Sequence, residues 1–369
     1  MQKSNSTKIL HIGQMVGGLD IYIRNSIEYA QHPFDYVIVT GKSDKHKPII
    51  KNGQTIKEYH IRLFRSLNPV NDLMALLSIL RIIKIEKPNI IHCHSAKGGV
   101  LGRIAGWLTH TRTFYTPHAF SFLSTQSKLK KKIFLFIERL CRLDSFLLAC
   151  SNSERELGIK TIGYDTRNAL VWSNSVPAVK AEPIDSDENH YICYIGRPSY
   201  QKNPLFFVEV AKRVHSKHPE LKFYVLGVGY YSPDLEAMKA KISKYGLDNT
   251  VILKTWVDHD EAMRIVAGAR LYLTVSLYEG LPLAVIEAMS LGKAIVASNV
   301  LGNKDCVADK FNGRLLPLDS DMFCNAICYL IDNESVLEEY GHNSMHFFHQ
   351  NFDINHRIGE LEKIYLTKV

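Results

Sequence analysis

Short runs of apolar, β-branched residues alternate with longer helical patterns along the whole chain, and this alternation restricts the fold more than any other feature. The first set is KILHIG (8–13), YVIVTG (36–41), NIIHCHS (89–95), RTFYTP (112–117) and FLLACS (146–151). A second set follows: YICYIG (191–196), KFYVLG (222–227), TVILKT (250–255), RLYLTVS (270–276) and KAIVAS (293–298). Strands buried on both faces read as continuous apolar runs, and strands separated by helix-length segments pair in parallel through crossover helices. Between the two sets lies SNSVPAVKAEPIDSDENH (173–190), polar and without apolar periodicity, which reads as an interdomain linker. The pattern therefore predicts an α/β protein of two doubly wound halves, with the boundary at Val176. A length of 369 residues agrees, since single cores stop growing below that size.

Charge is spread unevenly. Residues 1–176 carry 25 Lys and Arg against 12 Asp and Glu, whereas the remainder carries 20 against 25. Such asymmetry predicts an anionic partner for the first half, a membrane surface or nucleic acid, or else a solvated basic face. No nucleic-acid-binding module is recognisable, so nucleic acid is not expected. Seven scattered cysteines (Cys93, Cys141, Cys150, Cys193, Cys306, Cys324, Cys328) include no CxxC pair, which argues against a disulfide frame and a zinc site. No apolar stretch reaches the length of a membrane span, and MQKSNSTKILHIG lacks the centre of a signal peptide. A cytoplasmic protein, peripheral on the inner face of the membrane, is expected.

Ligands of open α/β sheets bind beyond the carboxyl ends of the strands, so residues immediately after predicted strands carry most weight. After the first strand, GQMVGGLD offers Gly17 and Gly18, either a structural turn or a place where backbone and helix amides approach an anion. After YICYIG, the loop RPSYQKNP sets Arg197 and Lys202 five residues apart. A guanidinium fork and an ammonium can together neutralise a departing diphosphate without a metal. In YEGLPLAVIEAMSLGKAIVAS, Glu279 ends a strand before a tight turn, and Glu287 falls inside an otherwise apolar helix. A carboxylate there needs hydrogen bonds, which ligand hydroxyls such as a ribose diol could supply.

GR(x4)K at 196–202 and E(x7)E at 279–287 together resemble the retaining family 4 glycosyltransferases of GT-B fold. The similarity extends to Gly17 and Gly18, to TPH ending at His118, to the GxG of Gly227 and Gly229, and to the closing DINHRIGELEKIYLTKV. It implies two Rossmann-like domains facing across a cleft, 1–176 toward the acceptor and 177–349 toward the nucleotide sugar, with 350–369 as a helix crossing back. Residue by residue, it implies that Arg197 and Lys202 bind the donor diphosphate, Glu279 contacts sugar hydroxyls, and Glu287 holds the ribose. Gly196 and the loop Gly280, Leu281, Pro282 and Leu283 would offer backbone to the donor, and His118 would lie near the transferred sugar. Lys254 and Trp256 would border the nucleobase, with Trp256 equally readable as core. Two departures, GGLD at 17–20 and Ser175 after Asn174, leave the acceptor and linker geometry open.

The reaction the resemblance implies is front-face transfer without cofactor or metal, from a UDP-sugar or second a GDP-sugar, to a lipid-linked or glycan acceptor. KLKKKIFLFIERLCRL (128–143) places Lys128, Lys130, Lys131 and Lys132 beside Ile133, Phe134, Leu135, Phe136 and Ile137. This reads either as an interfacial helix on anionic lipid or as a buried helix with a charged end. Arg62, Leu63, Phe64 and Arg65 would form a second edge of that surface. Rival functions are a nucleotide-sugar 2-epimerase of the same architecture and a catalytically silent subunit.

Overall fold

The computed structural model describes residues 7–44, 46–64, 68–183, 190–229, 232–255 and 257–367. The chain divides into two compact units, one running to Ser175 and resuming at Ile354, the other spanning Val176–Asp353.

The first unit contains β1 (Lys8–Ile12), β2 (Asp35–Gly41), an antiparallel pair β3 (Ile50–Lys51) and β4 (Gln54–Thr55), then β5 (Lys57–Ile61), β6 (Ile90–His94), β7 (Arg112–Thr116), β8 (Ser145–Ala149) and β9 (Ala169–Val171). Seven of these form a sheet ordered β5-β2-β1-β6-β7-β8-β9, with every pairing parallel. Its helices are α1 (Gly18–Glu28), α2 (Pro69–Glu86), α3 (Ser95–Thr109), α4 (Lys128–Leu140) and α5 (Asn152–Leu157). One face of the sheet packs on Ala75, Ile79, Ile82, Leu101 and Ala105 of α2 and α3, with Phe134 and Leu135 of α4. Glycines bring α3 close to the sheet: a Cβ on Gly99 would lie 2.2 Å from the Tyr115 ring, and one on Gly102 2.4 Å from the Cβ of Cys93.

The second unit holds β10 (Tyr191–Ile195), β11 (Lys222–Val228), β12 (Val251–Thr255), β13 (Tyr272–Thr274), β14 (Ile295–Ser298) and β15 (Gly313–Leu316). Their order is β12-β11-β10-β13-β14-β15, again parallel. Around them lie α6 (Pro204–His215), α7 (Leu235–Lys244), α8 (His259–Gly268), α9 (Leu283–Ser290), α10 (Asn303–Cys306), α11 (Ser320–Asp332) and α12 (Glu334–Asn351). The last helix, α13 (Ile354–Thr367), belongs to the first unit. Ile354, Ile358, Leu361 and Tyr365 recur at helical spacing and bury against Tyr22, Ile23, Ile27 and Trp172 on the sheet's other face.

Every run predicted as a strand contains one. Among strands not expected, β3 and β4 are a two-residue pair, and β5, β9 and β15 are sheet edges, where KEYHI, ALV and GRLL are short or half-exposed and lose the apolar signal. The expected basic surface needs two corrections. Leu63 is fully buried in the core rather than exposed beside Arg62, and Phe64 is only half exposed. In α4, Phe134 and Leu135 pack against the core and Ile137 is half-buried, whereas Ile133 and Phe136 face solvent. Arg65 lies outside the described residues. All seven cysteines are buried thiols. Among the described residues no helix is long and apolar enough to cross a membrane.

Candidate active site

The loop after β10 and the loop after β13 are tied together in the second unit. Tyr194 donates its hydroxyl hydrogen bond to the carbonyl of Lys202 at 2.9 Å, and the Leu277 amide donates to the carbonyl of Gln201 at 2.8 Å. This places the Lys202 ammonium 2.6 Å from Oε1 of Glu279, 77 residues away. The same carboxylate accepts from Ser276 Oγ at 2.7 Å and from Gln201 Nε2 at 3.0 Å. Glu279 is buried, and its own amide donates to the carbonyl of Leu301. Gly302 makes the fit possible: at φ +81° it leaves no room for a Cβ, which would sit 2.7 Å from that of Glu279. The sequence paired Lys202 with Arg197, whereas the structure pairs it with Glu279. Arg197 stands half-buried in the same loop, and Gly227 backs it, a Cβ there falling 3.7 Å from the carbonyl carbon of Gly196. Gly229 follows at φ +140°.

Gly280, Leu281 and Pro282 lead into α9, whose first turn begins on Pro282. The first amides of a helix have no intrahelical acceptor and favour anionic oxygens. One turn on, Glu287 is buried, and its partner is present in the protein: Nε2 of His259, at the start of α8, lies 2.9 Å from Oε1. The expected need of Glu287 for a hydrogen-bond partner is thus met within the protein on one oxygen. Donation of a hydrogen bond to the Glu287 carboxylate raises the pKa of His259 above its ordinary value, against an opposing effect of burial. A group whose folded pKa is raised stabilises most below its unfolded pKa and loses that contribution as pH climbs through the folded value. His259 is half exposed, so the pair should contribute about 0–1 kcal/mol. We expect His259→Gln to abolish a small fall in melting temperature between pH 6 and pH 8; an unchanged profile would remove the pair from the account. Lys254 sits on the edge strand β12 with its ammonium 5.5 Å from the Tyr224 ring centroid, and Trp256 lies outside the described residues.

In the first unit, Gly17 (φ +63°) and Gly18 are exposed and open α1. His118 and Ala119, beyond β7, both adopt left-handed backbone, at φ +52° and +78°. Non-glycine residues hold such conformations at a cost and cluster at functional sites. The His118 ring Nε2 is 3.3 Å from Nδ1 of His94, whose Nε2 is 3.0 Å from Nδ1 of His11. Burial lowers the pKa of His118 and of His11 to about 3.

Residues 178–346 match the model of glycosyl transferases group 1, and residues 16–180 that of glycosyltransferase family 4. UDP-Gal:α-D-GlcNAc-diphosphoundecaprenol α-1,3-galactosyltransferase of Escherichia coli is 30% identical over 324 residues, covering 83% of this chain and 82% of the relative. The chain belongs to glycosyltransferase family 4. An uncharacterized 41.2 kDa protein in the cps region of Klebsiella pneumoniae is a further relative, 25% identical over 89% of this chain and 90% of its own length. The family's GT-B fold is matched by sucrose-phosphate synthase from Thermosynechococcus elongatus, with a TM-score of 0.83 at 16% identity over 98% of each chain. HepE of Anabaena, solved with UDP and glucose, superposes with a TM-score of 0.80 at 17% identity over 98% of this chain and all of the other.

Sequence reasoning singled out Lys202, Glu279, Glu287 and His118 but not their partners Ser276, Gln201 and His259, nor His11 and His94 in line with His118 and His92 beside them. His92 and His94 alternate on one face of β6, which pairs with β1, so HxH beside HIG was the available signal.

Proposed function

We propose that this family 4 glycosyltransferase moves a hexose or N-acetylhexosamine, with retention, from a UDP-sugar to a lipid-linked acceptor in cell-surface polysaccharide or glycolipid assembly. GDP-sugar is the second choice of donor. The observation that carries the reading is the Glu279 carboxylate, buried yet held by Lys202, Ser276 and Gln201 at the mouth of a helix N-terminus. Such a group is already oriented before substrate arrives. In the proposed complex Glu279 receives sugar hydroxyls, Glu287 the ribose, and the Gly280–Leu283 loop offers amides. Arg197 and Lys202 neutralise the leaving diphosphate, which takes the acceptor's proton as the oxocarbenium-like sugar forms on the same face. These cations supply the charge that a metal would otherwise bring, so transfer is proposed to be metal-independent. His118 contacts the transferred sugar. The Escherichia coli relative, named for a UDP-Gal donor and a diphosphoundecaprenol-linked acceptor, supports both donor and acceptor choices.

The acceptor class is also supported by α4. Leu129, Ile133, Phe136 and Leu140 recur at helical spacing and are 69%, 45%, 64% and 63% exposed, forming one apolar stripe beside Lys128, Lys130, Lys131 and Lys132. We propose that this face rests on anionic lipid at the cytoplasmic side of the membrane. Changing Lys130, Lys131 and Lys132 to Glu should weaken binding to phosphatidylglycerol vesicles by at least about a hundredfold, since each lysine lost removes about 1 kcal/mol and each glutamate gained adds repulsion. Undiminished co-sedimentation would refute the surface.

The function itself is tested by thermal shift and nucleotide diphosphate release with UDP-, GDP- and ADP-sugars in the presence of EDTA. Stabilisation and acceptor-dependent UDP release support the reading. Turnover of donor without any acceptor would favour the epimerase, and no donor binding by the folded protein the silent subunit.

A further inference from the structure

His11 in β1, His92 and His94 in β6, and His118 beyond β7 gather at one end of the first unit's sheet. The His11 and His94 rings stack with centroids 5.3 Å apart, the His94 and His118 rings 5.5 Å apart, and Tyr22 meets His118 edge-on at 4.8 Å. The rings are thus confined, and hydrogen bonds run in one line from His11 through His94 to His118.

A neutral imidazole carries one N–H, so a line of three rings has two consistent arrangements. Either every ring donates toward His11, leaving a lone pair on Nδ1 of His118, or every ring donates toward His118, leaving an N–H there. The far end decides. Nε2 of His11 is buried and has no hydrogen-bond partner among the described residues. The first arrangement would put an N–H at that position and the second a lone pair; an orphaned buried N–H is the rarer and more costly of the two. The donors therefore point toward His118.

His92 stands apart from the line. Thr116 donates its hydroxyl to the carbonyl of Leu148 at 2.7 Å, so it accepts from Nε2–H of His92, whose Nδ1 accepts from the Tyr365 hydroxyl at 2.7 Å. Ring nitrogens of His11, His92 and His94 lie within 4.8 Å of one another, but both nitrogens of His92 are engaged, which disfavours a metal there.

We propose that His11 and His94 are positioning residues that hold His118 as a neutral hydrogen-bond donor through Nδ1, directed at a hydroxyl of the transferred sugar and unable to act as a base. This rests on the reading of His118 as a sugar contact. Among the described residues nothing in the protein occupies that Nδ1. The other titratable groups around the line are Tyr22, Tyr36 and Tyr365, which burial keeps protonated, and Glu154, whose carboxylate accepts from the amides of Ala119 and Cys150. Burial likewise keeps the His94 ring neutral, as it does those of His11 and His118. A His118 unable to accept a proton leaves the diphosphate as the base in the proposed transfer.

The test combines ring ¹⁵N shifts of histidine-labelled full-length protein with kinetics of UDP-sugar transfer. We expect His118 to show a protonated Nδ1 and an unprotonated Nε2 from pH 6 to pH 8; the opposite tautomer, or an imidazolium, would overturn the proposal. His118→Asn, whose amide nitrogen mimics Nδ1, should retain kcat within about tenfold, whereas His118→Ala should lose more. His11→Phe exchanges one unpaired buried nitrogen for another, on His94, so the melting temperature should hardly move. Its kcat should nevertheless fall about tenfold with donor KM unchanged, and both His118 tautomers should appear. Wild-type transfer in His118→Ala would sink the sugar contact itself. Loss in His118→Ala beside wild-type kcat and a single tautomer in both His11→Phe and His94→Gln would sink only the positioning role. Stoichiometric Zn²⁺ binding that perturbs the His92 ring would overturn the hydrogen-bonded line.

Discussion

Arg197→Ala is expected to lower sugar transfer on the order of a hundredfold to a thousandfold, the usual effect of deleting one group that stabilises developing negative charge. Lys202→Ala is expected to do the same and also to destabilise the second unit. The difference comes from Glu279. With Lys202 removed, its buried carboxylate keeps, among the described residues, Ser276 and Gln201, and an under-satisfied buried charge costs about 1–3 kcal/mol. Adding Glu279→Gln to Lys202→Ala should restore most of the stability and none of the activity. The measurements are UDP release under saturating donor and urea unfolding of each variant. Wild-type turnover in Arg197→Ala would remove it from the proposed diphosphate clamp; a Lys202→Ala protein as stable as wild type would mean that the carboxylate does not depend on the ammonium.

Arg103→Met is expected to have the largest effect on stability. Its guanidinium is fully buried, 2.8 Å from Oε2 of Glu138, and stacks 3.9 Å from the Tyr115 ring centroid. Its Nε donates to the carbonyl of Gly99, and Tyr115 and Ser121 donate to the other oxygen of Glu138. Breaking such a pair from one side leaves an uncompensated buried charge, at about 3–5 kcal/mol. For a unit of this size that lowers the melting temperature on the order of 10 °C. Arg103→Met with Glu138→Gln should recover a large part of the loss, because a neutral amide still accepts from Tyr115. The pair also fastens α4 to α3, so the single variant should weaken vesicle binding although no lysine has changed. A calorimetric scan and vesicle sedimentation decide both points: equal melting temperatures for the single and double variants would show that the charge itself is not the cost.

Arg103 and Glu138 illustrate where sequence reading stops. They are 35 residues apart, and neither stands in a pattern that names the other. Glu287 drew notice because a carboxylate in an apolar helix needs a partner, but the same logic could not point to His259, 28 residues earlier and on a different helix. Likewise KLKKKIFLFIERL displays its amphipathic composition openly, yet which of its apolar residues face solvent depends on how α4 meets the sheet. Phe134 and Leu135 pack inward and Phe136 does not. Leu63 was misjudged for the same reason, since a residue beside Arg62 can belong to either side of the chain.

The two parallel sheets, the polar stretch between them, the loops that carry Arg197, Lys202, Glu279 and His118, and the resemblance to family 4 are all legible along the chain. These are local properties: a strand buried on both faces must be apolar throughout, and a loop leading into a helix declares itself through glycine, proline and charge. That Lys202 holds Glu279, that His259 pairs with Glu287, and that His11 and His94 stand behind His118 follows from the folded chain alone. Each of those contacts joins residues far apart in the chain, on different elements or the loops that follow them, and a hydrogen bond is set by the position of two groups that only crossover topology brings within 3.3 Å.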